Sequence, residues 1–197
     1  VNAFSSKYDY YLADPVKYPL TEQELLGLQL YEDENKGKCA ECHPSEAGED
    51  GAPPLFTDFS YDNLGFPKNP ENPTYRMSRE FNPIGAAWID PGLGGFLADV
   101  PRFAHLAAQN YGLHKVPTLR NVDLRPRADF VKAYGHNGVF KTLKEVVHFY
   151  NTRDVLPACE KTADAEPGVN CWPKPEVAAN LNTEELGKLG LSEEEEW

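Results

Sequence analysis

The chain has one methionine, Met77, and four cysteines among 197 residues, and it is short of positive charge: 19 Lys and Arg stand against 31 Asp and Glu, a formal net charge of −12. Each scarcity excludes something. The acidic balance argues against nucleic acid or an anionic membrane surface as partner. No apolar run is long enough to span a bilayer, so the sequence contains no candidate spanning helix. No βαβ pattern is visible, which removes the usual setting of a thioredoxin-type cysteine pair. The glycines of Asp90-Pro91-Gly92-Leu93-Gly94-Gly95-Phe96 follow no strand and have the wrong spacing for a phosphate-binding loop, so they read as a turn. Apolar content, 41%, is ordinary for a globular protein. The 17 prolines and 15 glycines predict much irregular chain between helices, and the length suits one sizeable domain.

What is present centres on Cys39-Ala40-Glu41-Cys42-His43. C-x-x-C-H is the attachment sequence of c-type haem. The two thiols add to the porphyrin vinyl groups from a single helical turn. The imidazole that follows at once can rise under the iron as proximal ligand. Zinc would need a second ligand pair at similar spacing. Cys159 and Cys171 lie twelve residues apart with no histidine beside them. Haem attachment of this kind takes place outside the cytoplasm, so a periplasmic protein whose leader has been removed is expected, although Val1 begins no signal-like stretch. In an oxidising compartment Cys159 and Cys171 are expected to pair.

Residues 1–20 are aromatic (Phe4, Tyr8, Tyr10, Tyr11, Tyr18) and read as a strap packed on the core; residues 21–197 read as a single c-type cytochrome domain. Thr21 and Glu24 form a capping box, opening a helix to about Glu32 with Leu25, Leu26, Leu28 and Leu30 on a wide apolar face. Gly27 on that helix would let another helix cross closely. Residues 44–90 predict loops with short strand-like pieces around Phe56, Phe59, Tyr61, Leu64 and Phe66. Within them Met77 is either a thioether ligand to iron or a gap-filler in an irregular core. Residues 101–110 predict a short helix, with His105 and His114 as surface or packed histidines. Thr183–Leu189 reads as a short helix, and Ser192 opens a capped helix that the chain end cuts off.

A basic patch (Lys115, Arg120, Arg125, Arg127, Lys132) follows. Haem propionates are partly buried anions that need partners, and an arginine fork matches a carboxylate; Arg120 is the first candidate, an exposed arginine the plain alternative. Thr142 and Glu145 form a second capping box. Leu143, Val146, Val147 and Tyr150 recur at i, i+3, i+4, i+7, one apolar face. This turns Tyr150 inward and His148 towards water, making Tyr150 the iron neighbour from this helix, or else a core tyrosine with a bonded hydroxyl.

FSSKYDYYLADP (Phe4 to Pro15), the Thr21-capped helix, CAECH, Pro54-Leu55-Phe56-Thr57-Asp58-Phe59, VPTLRNV, YGHNG and TLKEVVHFYN resemble, in order, the C-terminal haem domain of the bacterial di-haem cytochrome c peroxidase and MauG family. The resemblance covers nearly the whole chain. It implies a mainly α, cytochrome c-like haem domain with long irregular loops. It implies a tyrosine ligand at Tyr150, as in MauG-type members, where peroxidases carry methionine. It also places His136 in the family's haem-side turn and Arg120 in its L-R-N motif. The chain departs from the family in having one C-x-x-C-H where two haem domains are usual.

The expected protein is thus a periplasmic mono-haem c cytochrome acting in electron transfer, with one covalent haem held by Cys39, Cys42 and His43, supported by Arg120 and His136, and Tyr150 (alternatively Met77) as second axial ligand. Its acidity suits a redox partner that is basic at the docking face, and a second haem domain or subunit fits the family. The competing expectation is a peroxidase or MauG-like oxidase, alone or as one half of a di-haem enzyme; His136 or Glu145 would then supply the acid/base group.

Overall fold

The computed structural model describes residues 4–196. Five α-helices, several 3₁₀ turns and one two-stranded sheet are present among them: α1 (Lys7–Ala13), α2 (Glu22–Glu32), α3 (Cys39–Cys42), β1 (Tyr61–Asp62), α4 (Gly92–Ala98), β2 (His114–Lys115) and α5 (Leu143–Thr152). Five helices, little sheet and long irregular stretches make up the architecture, as the proline and glycine content requires. No helix is long and apolar enough to cross a membrane among the described residues.

The chain divides into two compact units. The first gathers residues up to Ser60, Val116–Leu124 and residues from Leu189 onwards. The strap is not wholly irregular: Ser6 and Asp9 form a capping box and residues 7–13 fold as α1. Val1–Ala3 of the strap and Trp197 lie outside the described residues. Thr21 and Glu24 cap α2 as their spacing predicts. Among the described residues, however, no atom outside its own helix backbone lies within 4 Å of where a Gly27 Cβ would stand, so none of the described helices crosses it closely. Gly37 carries the close approach instead: a Cβ there would sit 1.8 Å from the Leu30 carbonyl oxygen, so only glycine lets the chain turn back from α2 to α3. At the far end Ser192 and Glu195 exchange cap hydrogen bonds (Ser192 N–H to Glu195 Oε2, 2.8 Å), but residues 193–196 form a turn rather than a helix.

The second unit comprises Tyr61–Lys115 and Arg125–Lys188. Its core is aromatic: Phe66, Phe140, Phe149 and Trp172, flanked by Leu64, Tyr134, Val139, Val146, Tyr150 and Leu156. Phe66 meets Phe140 edge-on at 5.1 Å and Phe149 meets Trp172 edge-on at 5.0 Å, the arrangement that ring quadrupoles favour. The capping box of Thr142 and Glu145 starts α5, which carries Phe149 into this core fully buried. The face is therefore turned from the expected one so that Phe149 is at its centre: Val146 and Tyr150 pack at its edge, and His148 stands half-buried 5.9 Å from the Trp172 ring rather than towards water. Arg153, just past α5, is buried and donates to the carbonyls of Leu64 (3.0 Å) and Asn182 (2.7 Å), joining three segments. The Asp90–Phe96 turn proves to be the start of α4. Gly94 lets that helix lie against Tyr111, whose Cα would stand 2.5 Å from a Cβ at that position; this contact overrides the poor helix propensity of three glycines. Residues 101–110 make two 3₁₀ turns, Ala104–Leu106 and Ala108–Asn110. Residues 183–189 form bends instead of a helix: the Asn182 side chain caps the N–H groups of Glu184 and Glu185, but Gly187 is left-handed (φ 103°) and gives its N–H to the Tyr150 carbonyl at 2.6 Å, so no helix continues. β1 and β2 pair antiparallel, Tyr61 opposite Lys115 and Asp62 opposite His114.

Candidate functional site

In the first unit, Lys38 adopts a left-handed conformation (φ 56°) and turns the chain into α3, a single helical turn that presents Cys39 and Cys42 three residues apart. The His43 N–H closes that turn on the Cys39 carbonyl at 2.9 Å. His43 Nδ1 lies 2.9 Å from the Phe56 carbonyl oxygen. A carbonyl can only accept, so Nδ1 carries the proton and the lone pair sits on Nε2. The Tyr31 hydroxyl donates to the His43 carbonyl at 2.5 Å, fixing the backbone as well as the ring. Burial pushes the Tyr31 phenol well above its ordinary range.

The Cys39 thiol points to the Gly37 carbonyl at 3.4 Å, and burial pushes its pKa up to about 11. A thiol held protonated is a poor fit to a thioredoxin-type redox cysteine, whose thiolate must be accessible. Neither Cys39 nor Cys42 takes part in the pair at disulfide distance, which is Cys159–Cys171, S–S 2.01 Å. Two thiols on one turn followed by an imidazole offering Nε2 form a donor set that fits covalent haem with a proximal histidine.

The sequence reading set Arg120 beside haem propionates; the structure gives its guanidinium other partners. It meets Asp9 of α1 through both terminal nitrogens (2.8 and 3.1 Å), and its Nε donates to the Pro54 carbonyl at 2.7 Å. The pair is nearly sealed, with side-chain exposures of 5% and 9%. The Arg120 hydrogen bonds hold the Asp9 carboxyl down at about 2. Phe4 and Phe56 face the guanidinium at 4.4 and 5.6 Å. Tyr8 packs on Phe56 at 5.7 Å and donates its hydroxyl to the Ser45 carbonyl.

The remaining expected residues belong to the second unit. His136 stacks on His114, ring centroids 3.8 Å apart and planes within 8°. It shares a hydrogen bond of 3.1 Å with Glu176, whose side chain is 1% exposed. Burial pushes Glu176 up, but the bonds from His136 and Asn137 outweigh it and leave the carboxyl below its ordinary value. Burial, then the neighbouring His136, pushes the His114 imidazole down. Sequence reasoning placed neither His114 nor Glu176 with His136; the stack depends on β2 and the 134–138 turn meeting, which no local pattern records. Tyr150 lies half-buried with its ring 6.2 Å from Phe66, the residue that also stacks on His136 at 6.0 Å. Met77, by contrast, ends a 3₁₀ turn (Pro73–Arg76) and is 53% exposed, the surroundings of neither a core thioether nor an enclosed ligand. The Glu145 carboxylate is engaged by the N–H groups of Lys141 (2.6 Å) and Thr142 (2.8 Å), which suits a helix cap rather than a proton shuttle.

No protein-family model matches the chain. It is similar to the methylamine utilization protein MauG of Paracoccus denitrificans, with 32% identity over 183 residues, 93% of this chain and 41% of MauG. It also resembles the cytochrome-c peroxidase IdrP2 of Denitromonas iodatirespirans, 29% identical over 139 residues, 67% of this chain and 32% of that one. Among solved structures, a variant of the di-haem peroxidase BthA from Burkholderia thailandensis superposes with a TM-score of 0.64 at 30% identity, over 96% of this chain and 38% of that one. A MauG-like protein associated with microbial copper homeostasis shares the fold, with a TM-score of 0.58 at 23% identity over 98% of this chain and 45% of its own. The chain thus spans about two fifths or less of the length of the curated relatives it matches.

Proposed function

The chain belongs to the MauG and di-haem cytochrome c peroxidase family, and on that premise we propose that it is a redox domain carrying one covalent haem c and passing electrons outside the cytoplasm. The observation that carries the reading is the His43 hydrogen bond to the Phe56 carbonyl, which supports a ligand role for Nε2 within a C-x-x-C-H turn. The family match consistently relates the chain to the C-terminal haem domain of its longer relatives. When bound, haem supplies a one-electron Fe(II)/Fe(III) couple. The polypeptide's part would be to tether it through Cys39 and Cys42 and to orient the His43 ring. Tyr150 would be the second residue to hold the iron, as in MauG-type members; it packs half-buried against the aromatic core whereas Met77 is exposed. A phenolate would favour Fe(III) and lower the potential; a thioether would raise it. Net charge −12 suits a partner that is basic where it docks, and the Cys159–Cys171 pairing suits an oxidising compartment such as the periplasm.

A second reading, one half of a di-haem peroxidase or oxidase, draws on the names of the relatives and on the share of their length that the chain covers. His136, bonded to Glu176 and stacked on His114, is then the proton-handling candidate.

Intact mass with absorption and EPR spectra of the oxidised and reduced protein tests both readings. One covalent haem is expected, with an axial signature that Tyr150→Phe changes and Met77→Leu does not. Absence of covalent haem refutes the proposal, and a thioether-to-iron charge-transfer band removes Tyr150 from it. A high-spin haem that reacts with peroxide selects the enzyme.

A further inference from the structure

We infer that Arg120, with Thr118, is a positioning residue for the His43 ring: together they hold the backbone whose carbonyl orients it. This rests on the proposed ligand role of His43. Three consecutive carbonyls, those of Pro54, Leu55 and Phe56, are each taken by one of three consecutive residues. Arg120 Nε donates to Pro54 at 2.7 Å, Thr118 Oγ1 to Leu55 at 2.6 Å and the Leu119 N–H to Phe56 at 3.3 Å. The Phe56 carbonyl is the one that accepts the His43 Nδ1 proton. Phe56 also has φ 52°, a left-handed backbone that a bulky L-residue adopts only when its surroundings impose it. Left to itself, this residue would relax to a negative φ and swing its carbonyl off His43. The clamp at 118–120 is what imposes the conformation, and the Phe56 ring, set between Tyr8, Tyr31 and Arg120, adds to it. Arg120 is itself fixed in place by its two-pronged contact with Asp9 of α1. Its role is therefore geometric, and it reaches from the N-terminal helix to the histidine.

The sign of one measurement separates this role from simple electrostatics. A strong Nδ1–H to carbonyl bond makes the imidazole more basic and favours Fe(III). Loosening it raises the reduction potential. Deleting the Arg120 charge acts through space in the opposite sense, because it leaves the Asp9 carboxylate uncompensated and stabilises Fe(III). The experiment is a redox titration of the haem-loaded protein, with EPR of the ferric form, for wild type, Arg120→Gln, Arg120→Lys, Thr118→Val and the charge-loss control Lys7→Gln. Higher potentials and altered ferric g-values are expected in Arg120→Gln and in Thr118→Val, which changes no charge. Arg120→Lys, which keeps a donor, is expected to restore much of the wild-type value, and Lys7→Gln to leave it unchanged. Unchanged or lowered potentials in both Arg120→Gln and Thr118→Val overturn the inference while leaving haem attachment standing. Thr118 is exposed, so its variant decides the matter if Arg120→Gln does not fold. If the mass of the wild-type protein shows no covalent haem, the ligand role of His43 falls and this inference falls with it.

Discussion

Replacing both members of the Asp9–Arg120 pair is expected to cost clearly less stability than the two single replacements added together. The two side chains are 5% and 9% exposed, joined by two hydrogen bonds, and Arg120 carries a third to Pro54. Removing one partner leaves a charge buried without compensation, which costs about 3–5 kcal/mol. The pair lies near the surface of a small unit, so about 3 kcal/mol is the appropriate figure. In a chain of this size that lowers the unfolding temperature by ~6–12 °C, at 2–4 °C per kcal/mol. Asp9→Leu with Arg120→Met removes both charges and keeps volume, so the double variant should lose clearly less than the sum of the single losses. The same contact makes an acid limb. Arg120 lowers the Asp9 carboxyl from its ordinary 3.8 to about 2. A lowered folded-state pKa contributes stability that is complete above about pH 4 and disappears as pH falls through 2, worth at most about 2 kcal/mol. Asp9→Asn should flatten that limb. Denaturant unfolding from pH 6 to 2, followed by circular dichroism, measures all of this. Single-variant losses below ~1 kcal/mol, the range of an exposed pair such as Lys7–Glu24, would refute the reasoning.

Gly37→Ala places a Cβ 1.8 Å from the Leu30 carbonyl oxygen; since backbone rather than a flexible side chain must move, the turn into Cys39 shifts and the yield of haem-loaded protein measured by mass should fall. Phe149→Ala empties the middle of the aromatic core and should cost about 3–5 kcal/mol in denaturant unfolding. Serine at Cys159 or Cys171 opens a twelve-residue closure and should cost about 3 kcal/mol under oxidising conditions; the same variant compared under reducing conditions should show no difference.

Local chemistry was legible from the sequence wherever the signal lay within a few residues. Both capping boxes at Thr21 and Thr142 open the helices they announce, and C-x-x-C-H folds as the single turn its spacing requires. Cys159 and Cys171 stand at disulfide distance. Patterns failed where a distant contact decides. Three glycines form α4 because Tyr111 lies against them. The helical signals at 183 and 192 remain bends and turns; at 183 the left-handed Gly187, bonded through its N–H to the Tyr150 carbonyl, stops the turn that Asn182 caps. On α5 the expected face is partly kept: Val146 and Tyr150 pack on the aromatic cluster, but Phe149, outside the i, i+3, i+4, i+7 pattern, is the residue at its centre. Arg120's motif and charge mark it as a carboxylate binder, and the fold adds a partner that no local pattern records, the Asp9 carboxylate 111 residues away.

Asp9 and Arg120 stand 111 residues apart, with Cys39, Cys42 and His43 in the stretch between them. Closing so long a loop costs more chain entropy than forming the local turn at Cys39–His43. Under the proposed haem attachment, the segment to be modified would take shape without the latch, and an attaching enzyme would meet it most readily before Asp9 and Arg120 join.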